Sequence, residues 1–157
     1  MRIVLPYPPA AVREYLKGDA EFTGLVPPAL ISTRDTPDRI TRPFVKVRPV
    51  TTPGRDPMLR NPMVQIDVYA PSLEVITSNT DQSVLDLYAD VDPEEAAWNI
   101  AALAGELLSR ARTVSFRNCT WNAAWKEGPL SFPETVRGVD LPLYRSPVRV
   151  ELKMLVR

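Results

Sequence analysis

The chain has 157 residues, and its 19 Lys and Arg residues equal its 19 Asp and Glu residues, so the formal net charge is zero. The length predicts one domain spanning 1–157, and the missing basic excess weighs against a dedicated nucleic-acid binder. Because histidine is absent, Ser-His-Asp and Cys-His catalytic arrangements and Cys-His zinc sites are excluded. The lone cysteine, Cys119, cannot form an intramolecular disulfide and is expected to be a small, semi-buried residue in a strand.

Export, membrane insertion and cofactor binding are not expected. The apolar run after Arg2 ends at Pro6, which is too short for a signal peptide. The best apolar helical stretch, "IAALAGELL", is interrupted by Glu106 and is far shorter than a membrane span. The six glycines form no phosphate-binding loop. We therefore expect a protein that is made in a cytoplasm, with no cofactor, no bound metal and no membrane partner.

The 17 prolines divide the first part of the chain into short segments. Segment 8–17, "PPAAVREYLK", predicts a short helix, because Pro9 suits a first turn and the apolar residues share one face. Segment 19–42 is expected to be irregular apart from a short extended piece at 29–32.

Two strands are predicted next, at 43–50 and 63–70. The second, "MVQIDVYA", alternates apolar and polar residues, which is typical of a strand with one buried face. The connection 51–62 is too long for a tight turn, and we interpret the pair as an antiparallel hairpin with a projecting loop, a kind of loop that is usually functional or mobile. Segment 71–91 is left open between a helical turn and an extended piece.

The clearest helix is predicted at 93–111. Asp92 is a suitable N-cap residue, and Pro93 suits the first helical position. Acidic residues begin the helix and arginines end it, which matches the helix dipole. An inward apolar stripe follows helical spacing and consists of Ala96, Ile100, Leu103, Leu107 and Ala111.

The last two strands are predicted at 113–121 and 148–157, joined by a long connection at 122–146. Strands with one apolar face need a covering layer. The expected fold class is therefore α+β: a four-stranded, mostly antiparallel sheet with one long and one short helix packed on one face, and long projecting loops.

A cluster of carboxylates at the start of the long helix could in principle hold magnesium or calcium. Its members are Asp90, Asp92, Glu94 and Glu95. The helix dipole already explains acidic residues at this position, so we expect no metal site there, and a small divalent-metal-dependent enzyme is kept only as an alternative. Asp67, on the polar strand face, is expected to form a cross-strand ion pair with Arg117 or Arg149.

A local basic run could contact phosphates. It is interleaved with acidic residues and lacks aromatic stacking partners, so a nucleic-acid adaptor remains an alternative. The run consists of Arg34, Arg39, Arg42, Lys46 and Arg48.

The outer face of the long helix is the strongest candidate for an interaction site. Trp98, Ala102, Gly105 and Ser109 follow spacings of 4, 3 and 4 and lie opposite the main apolar stripe. A large indole beside small residues allows another backbone to approach closely, and Gly105 costs helix stability unless such packing requires it. Either a subunit interface or a segment of the same chain, 122–146 or 71–91, is expected to cover this face.

The order of these segments resembles a known family. The helix is followed by "YLKGDAEFTGLV", then "RPFVKVRPV", a loop, "NPMVQIDVYA", the helix "EEAAWNIAALAGELL" and the closing "LYRSPVRVELKMLVR". This layout, across most of the chain, resembles the tail terminator (tail completion, or head-to-tail joining) family of long-tailed bacteriophages. No single invariant motif carries the resemblance.

The resemblance implies a non-enzymatic virion protein of the tail or neck, assembled in the host cytoplasm. Such α/β subunits form a ring, typically a hexamer, that caps the tail tube, stops its polymerisation and presents a surface to the head connector or stopper protein. DNA passes through the lumen without specific binding, which suits a chain of zero net charge. Another neck component, such as a head-completion or stopper protein, is the nearest alternative.

A ring that closes head-to-tail needs two different complementary patches on each subunit. The outer helix face with Trp98 is the candidate for one patch. The loop after the first strand, with Arg55, Asp56 and Arg60, is the candidate for contacting a neighbouring subunit or the tube.

Overall fold

The computed structural model describes residues 4–34, 36–37, 40–54, 59–78, 82–134 and 143–156. Within these ranges the chain forms five α-helices, eight strands and a 3-10 turn at Pro28–Leu30. The helices are α1 (Pro8–Lys17), α2 (Ala20–Leu25), α3 (Leu73–Thr77), α4 (Gln82–Leu87) and α5 (Pro93–Ser109). The strands are β1 (Ile31–Ser32), β2 (Phe44–Thr51), β3 (Leu59–Arg60), β4 (Met63–Pro71), β5 (Val114–Phe116), β6 (Cys119–Glu127), β7 (Phe132–Glu134) and β8 (Leu143–Val156).

The long strand β8 is the central strand of one curled, mixed sheet. Along one edge it pairs with β4 and then with the short β3, and along the other edge with β6 and β7, all antiparallel. The sheet continues outward through β2 and β5, and β1 joins β2 in parallel, so the order is β1-β2-β4-β8-β6-β5. Both edges of β8 are therefore covered by partner strands.

A sharp bend at Gly128 lets β6 and β7 follow the same edge of β8. The φ of Gly128 is 87°, a left-handed conformation that favours glycine. A Cβ atom there would lie 2.6 Å from the carbonyl oxygen of Pro147, so a side chain would collide with the backbone of β8. The amide of Leu130 then donates to that same oxygen at 3.1 Å, which returns the chain to the sheet.

The main core lies between α5 and one face of the sheet. α5 packs on β4, β6 and β8, and the alternating residues Val64, Ile66 and Val68 are fully buried against it. α1 closes one side, where the Tyr15 ring meets the Trp121 ring edge-on at 5.4 Å. A smaller apolar cluster, formed by Ile40, Phe44, Tyr69 and Leu143, is buried separately.

The predicted four-stranded sheet with two helices was wrong, because the described residues contain a larger mixed sheet and five α-helices. Segment 113–121 is split by a turn into β5 and the start of β6, and the connection 122–146 contains the rest of β6 and all of β7. Segment 71–91 contains α3 and α4. These pieces are short or irregular in sequence and are held by pairing or packing against long elements, which periodicity does not detect.

Other predictions of single elements were confirmed. The short helix spans 8–17 as predicted, and the long helix begins at Pro93 and ends two residues early at Ser109. The strands predicted at 43–50 and 63–70 pair antiparallel, with a bulge between Pro49 and Thr51. The strand predicted at 148–157 begins earlier, at Leu143. Cys119 lies in a strand, β6, as predicted, but it is fully buried and not semi-buried.

Candidate functional site

The outer flank of α5 carries an exposed tryptophan among smaller side chains. The Trp98 side chain is 43% exposed, whereas Ala102 and Ser109 are half-buried and Gly105 is buried. Trp98 and Gly105 are seven residues apart, which corresponds to about 10 Å along the helix axis. The helical spacing therefore brings the four predicted residues onto one flank.

A residue of the same chain explains the glycine in this helix. The indole of Trp125 lies over Gly105, where an added Cβ would be only 2.7 Å from Trp125 Cε2. The indole nitrogen of Trp125 donates to the carbonyl oxygen of Gly128 at 3.0 Å, and the residue remains 39% exposed. Gly105 thus permits a close approach by β6, within the segment 122–146 considered from the sequence.

The segment after Trp125 continues toward the start of α5. The Ser131 hydroxyl donates to Oε1 of Glu94, so residues 125–131 run along the flank from Gly105 toward the N-terminal turn. The same chain therefore covers Gly105 on this flank and forms a hydrogen bond with Glu94, one turn before Trp98. Between them Trp98 keeps an exposed indole, and Trp98 and Trp125 together present aromatic surface at the side of the helix.

The loop after β2 is described only in part. Arg55 and Asp56 lie outside the described residues. Arg60, in β3, donates from Nη2 to the Thr52 carbonyl oxygen at 2.7 Å and from Nη1 to that of Gly54 at 3.3 Å. Arg60 therefore ties together the two ends of the loop in which it was predicted to act.

The sheet face opposite α5 contains a buried carboxylate, that of Asp67, whose predicted ion-pair partners were wrong. Asp67 is 1% exposed. Its Oδ2 lies 2.9 Å from Arg48 Nε and its Oδ1 lies 3.9 Å from Arg145 Nη1, while Gln65 Nε2 donates to Oδ1 at 2.9 Å. The expected ion pair with Arg117 or Arg149 is absent from the described residues.

The register of the strands explains these partners. Arg48, Gln65 and Arg149 lie side by side on β2, β4 and β8, so Gln65 separates Arg149 from Asp67. Arg149 Nε donates to Gln65 Oε1 at 2.9 Å, and its Nη1 lies 3.5 Å from Glu127 Oε2. Arg117 lies instead in the β5–β6 turn, with its guanidinium 4.7 Å from the centre of the Phe116 ring.

A cleft of about 230 Å³, which we call the basic cleft, lies beside Arg48, Gln65 and Arg149 on the face of the sheet opposite α5. The guanidinium of Arg145 lies 5.4 Å from the centre of the Phe132 ring, and its buried Nε has no hydrogen-bond partner among the described residues. The cleft is lined by Arg48, Gln65, Glu127, Leu130, Phe132, Arg145, Pro147 and Arg149. The alternation of polar residues along β2, β4 and β8 indicated a polar sheet face. Only the register between these strands shows which of those residues lie side by side in the cleft.

The predicted carboxylate cluster lies on the surface at the start of α5. Its four members are exposed, and Asp92 occupies the N-cap position without a side-chain capping bond. Among the described residues, no three or more Cys, Asp or Glu side chains are arranged so that they could hold a metal ion. Of the predicted basic run, Lys46 and Arg48 face the open side of the sheet, whereas Arg39 lies outside the described residues.

Tyr88 is a buried tyrosine. Burial raises the pKa of the Tyr88 hydroxyl above its ordinary range, and this hydroxyl finds no hydrogen-bond partner among the described residues.

Among the helices of the described part of the chain, none is long and apolar enough to span a membrane.

No model of a known protein family matches the chain, and no curated protein matches it significantly. One chain of a solved structure, described as "Virion of native gene transfer agent (GTA) particle", shares its fold. The two chains superpose with a TM-score of 0.60 over 99% of each, at 14% sequence identity. At this identity the likeness shows the fold alone. The fold is therefore one that also occurs in a chain of that virion.

Proposed function

We propose that this chain is a non-enzymatic virion protein whose copies form a hexameric ring, cap the tail tube, stop its polymerisation and join it to the head connector or stopper. The observation that carries the proposal is the fold shared over nearly the full length with a chain of the gene transfer agent virion. The order of elements that resembles the tail terminator family supports the same role from the sequence. In this role the protein is located in the tail or neck, and DNA passes through the ring without specific binding.

The flank of α5 is one side of the proposed ring contact. Trp98 is the anchor, because an exposed indole beside Ala102 offers a large apolar surface, and tryptophan is enriched among residues that dominate binding energy. The loop that carries Arg55 and Asp56, whose ends Arg60 holds together, contacts a neighbouring subunit or the tube.

The test is the mass of the purified protein in solution, followed by negative-stain images with and without purified tube protein. Closed rings that bind tube ends and limit tube length are expected. Rings that bind a head connector and never a tube end would instead indicate another neck component. A monomer that never binds a tube end would contradict the proposal.

Trp98→Ala tests the proposed contact. Loss of an interface anchor costs about 2 kcal/mol or more of association free energy, so ring formation should weaken about 30-fold while the melting temperature of the subunit changes little. Tyr7→Ala is the matched control, since Tyr7 is an aromatic residue of similar exposure, 44% against 43%, outside the proposed contact. A larger loss of subunit stability than of association would assign Trp98 to the fold alone.

A further inference from the structure

The zero net charge of the chain conceals a strong separation of charge along it. Residues 61–109 contain nine Asp and Glu residues and no Lys or Arg, a formal charge of −9. The remainder of the chain has ten acidic and 19 basic residues and therefore carries +9. Charges arranged in this way produce surface potentials of opposite sign that steer association.

The structure places most of the negative charge of segment 61–109 on one side of the sheet. Except for Asp67, the acidic residues of 61–109 that the structure describes lie in or between α3, α4 and α5 and are exposed. We call this surface the acidic helical side. Its described members are Glu74, Asp86, Asp90, Asp92, Glu94, Glu95 and Glu106, of which Glu106 is paired with Arg110 at the end of α5.

A pocket of about 370 Å³ lies within this side, between the first residues of α3 and of α5. It is lined by three carboxylates, those of Glu74, Asp92 and Glu94. Ser72 is also a lining residue, but its hydroxyl oxygen has almost no accessible surface and has no hydrogen-bond partner among the described residues. The three acidic residues give the pocket a negative charge, which fits an incoming cationic group.

The opposite face of the sheet carries the complementary charge. The basic cleft and the adjacent Lys46 place four cations on this face against Asp67 and Glu127, and Glu151 lies on the same face two residues beyond Arg149. Asp67 is itself enclosed by Arg48, Gln65 and Arg145, so the exposed charge of the cleft is positive. Leu130 and Phe132, each 42% exposed, add apolar surface to its wall.

We propose that a second copy of this chain occupies the basic cleft, with its acidic helical side docked against the sheet face of the first copy. The inference rests on the ring-forming role proposed above and supplies the chemistry of its interface. Because the two surfaces lie on opposite faces of one sheet, each copy can engage two neighbours, as a head-to-tail ring requires. Trp98 on the helical side and Phe132 in the cleft supply apolar contacts within a charged rim.

The first experiment measures association of the unmodified protein by sedimentation velocity at about 0.05 M and 0.5 M NaCl. Salt screens charges at contact rims, so we expect the dissociation constant between copies to rise at least about tenfold. Glu95→Lys should weaken association at low salt by a similar factor. Glu21→Lys is the matched control, because Glu21 is also a glutamate in the first turn of a helix, α2, but lies outside 61–109.

The second experiment mixes two reversed variants. Asp90→Lys/Glu95→Lys reduces the formal charge of the seven carboxylates on the helical side from −7 to −3, and Lys46→Glu/Arg149→Glu makes the cleft acidic. Each variant alone should associate more weakly than the unmodified protein, and the mixture should associate more strongly than either variant alone, because the unchanged cleft of the first can bind the unchanged helical side of the second. If the cleft double variant fails to fold, Arg149→Gln replaces it and should weaken association while the circular dichroism spectrum is unchanged.

The outcomes separate this inference from the proposed function. Rings that are insensitive to salt and to Glu95→Lys would overturn the inference and leave the ring-forming role intact. A protein that is monomeric in all conditions and never binds a tube end would overturn both. Loss of duplex DNA binding in the cleft variant, with self-association unchanged, would make the cleft a phosphate-binding surface and would also overturn the inference.

Discussion

The two faces of the sheet are built by opposite physical means, although the same strands supply both. On β4, Val64, Ile66 and Val68 enter the core beneath α5, whereas Gln65 and Asp67 are buried on the other face. The helix-covered face needs apolar volume, and many side chains of suitable size can provide it. The open face buries a carboxylate, which is tolerated only when specific donors surround it.

The difference teaches where the chain tolerates change. Removing volume from the helix-covered face weakens every contact around the cavity. Changes on the open face act through a few hydrogen bonds, and water partly compensates them because the arginines there remain partly exposed: 45% for the Arg48 side chain and 27% for that of Arg145. The following substitutions test this contrast, from the largest expected effect to the smallest.

Ile66→Ala should be the most damaging. Ile66 is fully buried between β4 and α5, and truncation leaves a cavity that costs about 2–5 kcal/mol of unfolding free energy. Urea denaturation followed by circular dichroism measures it. Val50→Ala, at a residue that is 38% exposed, is the control and should change stability by about 0.5 kcal/mol or less. A loss below about 1 kcal/mol for Ile66→Ala would show that the helix-covered face is not tightly packed.

Asp67→Asn should cost less, about 1–3 kcal/mol, because it removes charge-assisted hydrogen bonds whose arginine partners can still contact water. The same urea titration measures the loss. Glu127→Gln is the control: Glu127 is 52% exposed and its atoms are 3.5 Å from Arg149, and such surface pairs contribute about 0–1 kcal/mol. Equal losses for the two variants would mean that burial of Asp67 adds nothing to its pairing.

Gly105→Ala should destabilise the chain slightly. Collision with Trp125 costs about 1–3 kcal/mol, and the better helix propensity of alanine returns about 1 kcal/mol. In a Trp125→Ala background the collision disappears, so the same substitution should then stabilise. The urea midpoints of the unmodified chain, the two single variants and the double variant measure both effects. If Gly105→Ala changed the free energy of unfolding in the same direction with and without Trp125, close packing of Trp125 on α5 would be disproved.

Tyr88→Phe should have the smallest effect at pH 7, within about 1 kcal/mol, because the buried hydroxyl has no partner among the described residues. Burial raises the pKa of Tyr88 above the value of about 10 that it has when unfolded. The folded state therefore favours the neutral form, and its stability is full below pH 10 and falls as the pH rises above it. Unfolding free energies at pH 7 to 10.5 should show a smaller alkaline loss in Tyr88→Phe than in the unmodified chain, with the exposed Tyr7→Phe as control.

The candidate site was predicted from the sequence in unequal parts. Helical periodicity placed Trp98, Ala102, Gly105 and Ser109 on one flank, because those spacings depend only on the geometry of one helix. It did not show that Trp125 covers Gly105, since the two residues meet only after β6 packs beside α5. That these residues form a subunit contact stays a prediction.

The basic cleft, unlike the flank of α5, could not be predicted from spacing within one element. Asp67 was placed on a polar strand face by alternation within β4. Its partners come from β2 and β8 and depend on a register in which Gln65 stands between Arg48 and Arg149. The charge separation between 61–109 and the remainder is visible in the sequence, but a net charge of zero gives no indication of it.

By itself the sequence determined the short and long helices, the alternating strands and the absence of histidine-based chemistry, because these depend on local spacing and composition. The tertiary structure decided the number of strands, the role of β8 as the central strand and the partners of Asp67. Short strands such as β1, β3 and β7 exist because a longer neighbour offers them backbone hydrogen bonds. That stabilisation lies between segments distant in sequence, where no local pattern records it.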